Sequence, residues 1–279
     1  MTSNARAATA SGPELLMKSL PAFPCLVAVA VSCLCWTPPC KAGDFTLPGA
    51  WEDTKLYFTA PLRWDSQDWL IFGGTVGAIA ASHALDGSVR DHFAGKTPVL
   101  DGKDAHSTRD ALPAAALVGG TFVAALLMDS SDGRSETYRM LEAAALSGVT
   151  AEALKFAAGR ARPNETLRVD DWRTAGSSFP SLHSTAAFAI GTVFAESGSD
   201  DYRWTRRVLG YGVAGFTSYE RLHGNAHWLS DVVAGSALGL WTGVFVTKRQ
   251  LFINSPVTFN VAPTEVGGIS LQLTYTPRN

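Results

Sequence analysis

Three short clusters of charged and histidine residues carry the side chains that could do chemistry in this sequence of 279 residues. The first runs KFAAGRARP from Lys155 to Pro163. Lys155 and Arg162 are seven residues apart, about two helical turns, so one helix face could deliver both cations to one pocket. Gly159 and Pro163 predict the end of that helix and place Arg162 at the mouth of a loop. The alternative is a basic helix C-terminus that interacts with its own dipole.

The second cluster, FPSLHST from Phe179 to Thr185, is typical of a helix start. Proline and serine precede an alanine-rich run, and Ser181 is a candidate N-cap. The N-terminus of a helix presents backbone N–H groups and a partial positive charge, which together suit a phosphate. His183 falls in the first turn of this helix, beside any anion bound there. The alternative is an ordinary capped helix with a surface histidine.

The third cluster is RLHGNAHWLSD, from Arg221 to Asp231. Asp231 follows His227 by four residues, one helical turn, so its carboxylate can take the proton on one ring nitrogen. The other nitrogen is then available as a nucleophile or base. His223 and His227 are also four residues apart, which is a possible zinc pair. The Gly–Asn pair between them argues against a continuous helix, and no third group of ligands accompanies them.

Together the clusters resemble the type-2 phosphatidic acid phosphatase superfamily, which includes bacterial acid phosphatases, lipid phosphatases and vanadium-dependent haloperoxidases. The family pattern is Lys, six residues, Arg-Pro; then Pro-Ser-Gly-His; then Ser-Arg, five residues, His, three residues, Asp. The matching residues here are Lys155, Arg162-Pro163, Pro180-Ser181, His183, Arg221, His227 and Asp231. Two positions differ, because Leu182 replaces the glycine and Glu220 replaces the serine. The resemblance covers roughly residues 154–235.

The resemblance implies a role for each matching residue. His227 would attack phosphorus to give a phosphohistidine, Asp231 would orient its ring, and His183 would protonate the leaving alkoxide and then activate water. The phosphoryl oxygens would be held by Lys155, Arg162, Arg221, Ser181 and the backbone N–H of Leu182. These cations would take the place of magnesium, so neither a metal nor another cofactor is expected.

Several alternatives remain for the function. Vanadate in the same cradle would give a peroxidase, and a broad-specificity periplasmic acid phosphatase or a non-catalytic envelope protein would share the fold. Leu182 and Trp228, next to the two histidines in sequence, predict an apolar mouth that favours a lipid or isoprenoid phosphate over a small soluble one, and contact with a membrane. The net charge of −2, without blocks of like charge, does not favour a nucleic-acid partner. The oligomeric state is not predicted.

Six Ala- and Gly-rich apolar segments have the composition of helices that would position these clusters. They are Trp69–Leu85, Ala111–Met128, Glu136–Ala158, Ser184–Glu196, Trp204–Glu220 and Trp228–Thr247. We therefore expect an all-α fold, a six-helix bundle of the phosphatidic acid phosphatase kind. After it, alternating apolar residues around Val257–Val261 and Ile269–Tyr275 predict a β-hairpin.

The N-terminal region has the features of an export signal. All four cysteines lie within the first 40 residues, and the run Leu20–Trp36 is apolar, with Lys18 before it and Ala42 after it. We expect a leader over residues 1–42, an irregular arm over 43–68, the helical phosphatase domain over 69–250 and the hairpin tail over 251–279. The protein would then be exported, to the periplasm or to the periplasmic side of the inner membrane. The alternative is a retained N-terminal anchor.

Overall fold

The computed structural model describes residues 47–95, 107–128, 130–197, 202–253, 257–263 and 269–275. Within these ranges it contains eight α-helices: α1 (Leu47–Thr59), α2 (Ser66–His83), α3 (Asp86–Ala94), α4 (Ser107–Leu127), α5 (Ser131–Ala158), α6 (Leu182–Glu196), α7 (Arg203–His223) and α8 (Leu229–Ile253). The all-α class is confirmed. The described residues contain two helices, α1 and α3, in addition to the six that were expected. The predicted leader lies outside the described residues.

The arm that was expected to be irregular is helical where the structure describes it, because α1 continues into a 3₁₀ helix at Ala60–Arg63. Pro48 and Pro61 indicated a broken chain, yet each lies in the first turn of a helix, where its missing N–H breaks no hydrogen bond. Burial stabilises the arm, since Tyr57 is 3% exposed and its hydroxyl lies 2.9 Å from Oγ1 of Thr242 in α8.

The short helix α3 lacks the apolar repeat by which the other helices were recognised. Its sequence, DGSVRDHFA, is mostly polar. Its first residue, Asp86, is nevertheless completely buried. The helix is therefore held by a polar contact with the rest of the bundle, which a search for hydrophobic periodicity does not detect.

The bundle is organised around α6, which packs against α8, α7, α5 and α4. Glycine allows two of these contacts to be close. A Cβ atom on Gly239 of α8 would lie 2.3 Å from the carbonyl oxygen of Thr185, and one on Gly191 would lie 2.5 Å from that of Gly210 in α7. Neither gap admits a side chain, so α6 has a fixed position against the two helices that carry the third cluster. The surrounding core includes Met140, Ala143, Ile190, Val193, Ala214 and Phe245.

The C-terminal segments form two antiparallel strands, β1 (Val257–Pro263) and β2 (Ile269–Tyr275). Their register pairs Val257 with Tyr275 and Pro263 with Ile269. These strands lie where alternation of apolar residues predicted them.

One described helical segment, Leu229–Lys248 of α8, is long and apolar enough to cross a membrane. More than half of it is buried inside the bundle, as the core helix of a globular domain also would be. Several helices carry large apolar side chains on their outer faces, including Leu70 and Ile71 of α2, Leu127 of α4, Phe156 of α5 and Trp204 of α7.

Candidate active site

Lys155 lies at the C-terminal end of α5, which stops at Gly159 in a left-handed conformation with φ of 55°. Its ammonium group donates hydrogen bonds to the carbonyl oxygens of Ser177 (3.0 Å) and Pro180 (2.6 Å). The side chain is buried, and this burial lowers the pKa of Lys155 to about 8. The positively charged end of Lys155 thus lies against the segment that leads into α6.

Arg162 follows α5 in the loop, as its spacing predicted. Its backbone N–H donates to the Glu165 carboxylate at 2.9 Å, and its guanidinium lies 3.5 Å from the hydroxyl of Ser177. The side chain is half-buried. Lys155 and Arg162 therefore both contact Ser177, which joins the two halves of the first cluster to the segment before α6.

The second cluster forms the N-terminus of α6. Ser181 occupies the N-cap position but its hydroxyl makes no capping bond; it lies 3.2 Å from the Ser184 hydroxyl instead. The backbone N–H of Ser181 donates to the carbonyl oxygen of Asp231 at 3.0 Å, which ties this cluster to the third. Leu182 and His183 lie in the first turn of α6 and are half-buried.

The third cluster turns back on itself after α7. The carbonyl oxygen of Arg221 accepts hydrogen bonds from the N–H groups of Ala226 (3.1 Å) and His227 (3.3 Å), and Asn225 has φ of 53°. The helix ends at His223, whose ring stacks on Tyr219 with 5.8 Å between centroids. The two histidines consequently do not share one helix face, which removes the basis for the zinc pair.

His227 and Asp231 are both buried and face each other. Nδ1 of His227 lies 3.6 Å from Oδ2 of Asp231, an ion-pair distance that is longer than a hydrogen bond. Burial raises the pKa of Asp231, and the guanidinium of Arg160 opposes that shift. Oδ2 also accepts hydrogen bonds from the hydroxyl of Ser178 and from the backbone N–H of Trp228. The carboxylate is therefore fixed on the side of the imidazole that carries Nδ1.

The pKa of His227 is well below its usual range. Burial is the main cause, and the positive charges of Lys155, Arg162 and Arg221 add to it, as does His183. These groups come from three clusters spread along the chain, and they act on a single imidazole. The ring is consequently neutral near pH 7, which leaves a lone pair for a nucleophile or base.

Trp228 does not contribute to the mouth of the site, which corrects the sequence interpretation. It is 1% exposed, and its indole N–H donates to the carbonyl oxygen of Ala161 at 2.9 Å. Its ring also faces the guanidinium of Arg160 at 5.2 Å. The tryptophan therefore packs the loop after α5 against the start of α8. Of the two residues expected at the mouth, Leu182 is the partly exposed one.

Sequence reasoning missed several polar residues behind the histidine, namely Asp86, Arg160, Ser178 and Ser230. Arg160 bonds to Asp231 at 2.6 Å and to Asp86 at 2.7 Å. Arg160 stands inside the first motif, so its position was a signal. Asp86 lies shortly after α2 and belongs to no sequence motif, so only its complete burial indicates that it has a role.

The described part of the chain contains no group of three or more His, Cys, Asp or Glu side chains arranged to hold a metal ion. The positive charge next to His227 comes from lysine and arginine. This arrangement can bind an anion and can offer it a neutral imidazole.

Residues 137–254 match the PAP2 superfamily. The chain is 38% identical over 122 residues to a lipid A 1-phosphatase of Porphyromonas gingivalis, covering 43% of this chain and 25% of that protein. It is 33% identical over 124 residues to a lipid A 1-phosphatase of Rhizobium johnstonii, covering 42% and 48%. The matches thus span a quarter and about half of the lengths of these relatives.

Among solved structures, the transmembrane PAP2-type phosphatidylglycerolphosphate phosphatase from Bacillus subtilis matches with a TM-score of 0.38 and 17% identity, over 84% of this chain and 98% of that one. The segment that matches the family contains all three clusters, from Lys155 to Asp231. Residues 137–254, and with them all three clusters, are therefore similar to the PAP2 superfamily.

Proposed function

We propose that this protein is a phosphatase that hydrolyses a lipid-linked phosphomonoester, without a metal, through a phosphohistidine at His227. The observation that carries the proposal is a buried imidazole that faces a fixed carboxylate and whose pKa is lowered by burial and by three nearby cations. A neutral imidazole is nucleophilic, and nearby cations attract a phosphate and stabilise charge on its oxygens in the transition state. The match of residues 137–254 to the PAP2 superfamily supports a phosphoric monoester hydrolase.

The reaction would proceed in two displacements. Because Nδ1 of His227 faces Asp231, Nε2 is the nitrogen that attacks phosphorus, and the N–P bond forms as the bond to the leaving oxygen breaks. His183, in the first turn of α6, gives its proton to that leaving oxygen. It then takes a proton from water, which attacks the phosphohistidine and releases inorganic phosphate. Asp231 stabilises the positive charge on the ring.

A lipid-linked substrate at a membrane surface is favoured by two observations. The relatives at 38% and 33% identity are lipid A 1-phosphatases. Large apolar side chains are also exposed close to the first cluster, since Leu154 is 41% and Phe156 is 94% exposed on either side of Lys155. Exposed apolar surface of this kind favours contact with acyl chains over contact with water.

Phosphate release by a folded His227→Ala variant tests the covalent step. We expect at least about a thousandfold loss of activity, because the substitution removes the imidazole nitrogen that would attack phosphorus. His223→Ala is the matched control, because its side chain is exposed and its ring stacks on Tyr219, and it should retain activity within about twofold. Residual activity of His227→Ala within about tenfold of the wild type, only about 1.4 kcal/mol of barrier, would contradict the proposal.

A substrate comparison tests the lipid assignment separately. We would measure kcat/KM for lipid A, a short-chain phosphatidic acid and a nucleoside monophosphate, with the phosphatidic acid below its micelle-forming concentration. The proposal predicts that a lipid is the best substrate. If the nucleotide is better, the protein is a broad-specificity acid phosphatase.

A further inference from the structure

We propose that Asp86 is a positioning residue for the reaction, acting on Asp231 and His227 through Arg160 and Ser230. This inference rests on the proposed function. Asp86 lies outside residues 137–254, the segment that matches the superfamily, and no motif marks it. Its carboxylate is nonetheless at the centre of the buried network behind the nucleophile.

The contacts of Asp86 engage both of its oxygens. Oδ1 accepts a hydrogen bond from the backbone N–H of Ser230 at 2.8 Å. Oδ2 accepts from the Ser230 hydroxyl (2.7 Å) and from Arg160 (2.7 Å), and Nδ1 of His83 lies 2.8 Å away. The residue is 0% exposed. A carboxylate with several charged or polar donors and no access to water is held in one orientation.

Arg160 connects the fixed carboxylate of Asp86 to that of Asp231. One nitrogen, Nη1, donates to Oδ1 of Asp231 at 2.6 Å and to the Ser230 hydroxyl at 2.8 Å, while Nη2 donates to Asp86. The guanidinium is planar, so fixing one edge on Asp86 fixes the other edge on Asp231. The ring of Trp172, with its centroid 4.5 Å from the guanidinium carbon, further restricts its movement.

The backbone provides a second route. Asp86 accepts a hydrogen bond from the backbone N–H of Ser230. Ser230 lies in the first turn of α8 and directly precedes Asp231. The carboxylate therefore acts as an N-cap supplied by another helix, and it sets where α8 begins. Asp231 is held by Arg160 through Oδ1, and this leaves Oδ2 facing Nδ1 of His227 at 3.6 Å.

The buried charges of this network explain how Asp86 could influence the position of Asp231. Asp86, Arg160 and Asp231 are all fully buried, with two carboxylates sharing one guanidinium. Removing the charge of Asp86 leaves Arg160 with a single carboxylate partner and leaves the Ser230 N–H with a weaker acceptor. The guanidinium is then free to move toward Asp231, and the direction in which Asp231 faces His227 changes.

The test is Asp86→Asn, which keeps the shape of the side chain but replaces one acceptor oxygen with a donor. We expect kcat to fall by about 10- to 100-fold with KM within about threefold, because the residue supports the nucleophile and does not touch substrate. The rate of phosphoenzyme formation in a single turnover should fall by the same factor. Asp91→Asn, on the same helix but half-exposed and paired with Arg90, is the control and should leave kcat within about twofold.

Rates are referred to the concentration of folded enzyme, with circular dichroism checking the fold. A folded Asp86→Asn protein with wild-type kcat overturns the proposal. If that variant does not fold, Ser230→Ala removes only the bridging hydroxyl; a fall in kcat of about threefold or more at unchanged KM supports the network, and wild-type kcat overturns it. An active His227→Ala protein would instead refute the proposed function, whatever Asp86→Asn does.

Discussion

Raising the pH through 8 should remove the positive charge of Lys155 and with it part of the affinity for phosphate. Burial lowers the pKa of this lysine from 10.5 to about 8, and the carboxylates of Glu152 and Asp231 only partly oppose the shift. A group with a lowered pKa loses its proton as the pH rises through that value, so the ammonium is present at pH 7 and absent well above pH 8.

The size of the effect follows from the pKa. With a pKa of about 8, about nine-tenths of the free enzyme carries the charged lysine at pH 7 and about one-tenth at pH 9. We therefore expect kcat/KM to fall about tenfold between these pH values. The value of kcat should fall less, because a bound phosphate dianion stabilises the ammonium and raises its pKa in the complex.

The assay is release of inorganic phosphate at subsaturating substrate between pH 6 and pH 10. A phosphomonoester has its second pKa at about 6, so most of the substrate is already the dianion at pH 7. Lys155→Arg is the matched variant, because arginine keeps its charge throughout this range. Its kcat/KM should fall about tenfold less than that of the wild type between pH 7 and pH 9, since any loss of the proton from the general acid His183 is common to both proteins. A flat wild-type profile would refute the reasoning, as would an identical fall in Lys155→Arg.

Three further results are expected. Gly239→Ala should destabilise the fold by about 1–3 kcal/mol in urea unfolding, because its Cβ would meet the Thr185 carbonyl, whereas Gly215→Ala, with nothing within 4 Å, should not; equal stabilities would contradict the close packing of α6 and α8. His183→Ala should slow hydrolysis of alkyl phosphates more than that of nitrophenyl phosphate, since a poor leaving group needs the proton, and equal losses would exclude that role. Vanadate should inhibit competitively as a transition-state mimic while EDTA has no effect, and activity lost in EDTA but restored by magnesium or zinc would show that the site uses a metal.

Much of the site could be predicted from the sequence because the relevant signals are local. The interval of four residues between His227 and Asp231 is one helical turn, and the turn before α8 preserves their pairing. The end of α5 at Gly159 follows from the conformational freedom of glycine. Composition likewise identified the six apolar helices, since alanine and leucine favour helix wherever they are placed.

Other features depend on contacts between distant parts of the chain. The position of Trp228 beside His227 predicts a residue of the mouth, but the loop after α5 covers it and accepts a hydrogen bond from its indole N–H. Tyr57 anchors an arm that has no apolar repeat, through Thr242 far along the chain. Local pattern cannot distinguish an exposed aromatic residue from a buried one when the covering segment lies elsewhere in the sequence.

The motifs alone predict which residues would bear the chemistry: two histidines, one aspartate and the cations, at spacings set by helical turns. The surroundings of these residues depend on how the helices pack. Burial makes His227 neutral, and packing brings Asp86 to Ser230 and Arg160 from a helix with no motif of its own. Neither effect is local in sequence, because pKa and charge pairing depend on desolvation and on distance in space, which arise only when the helices pack.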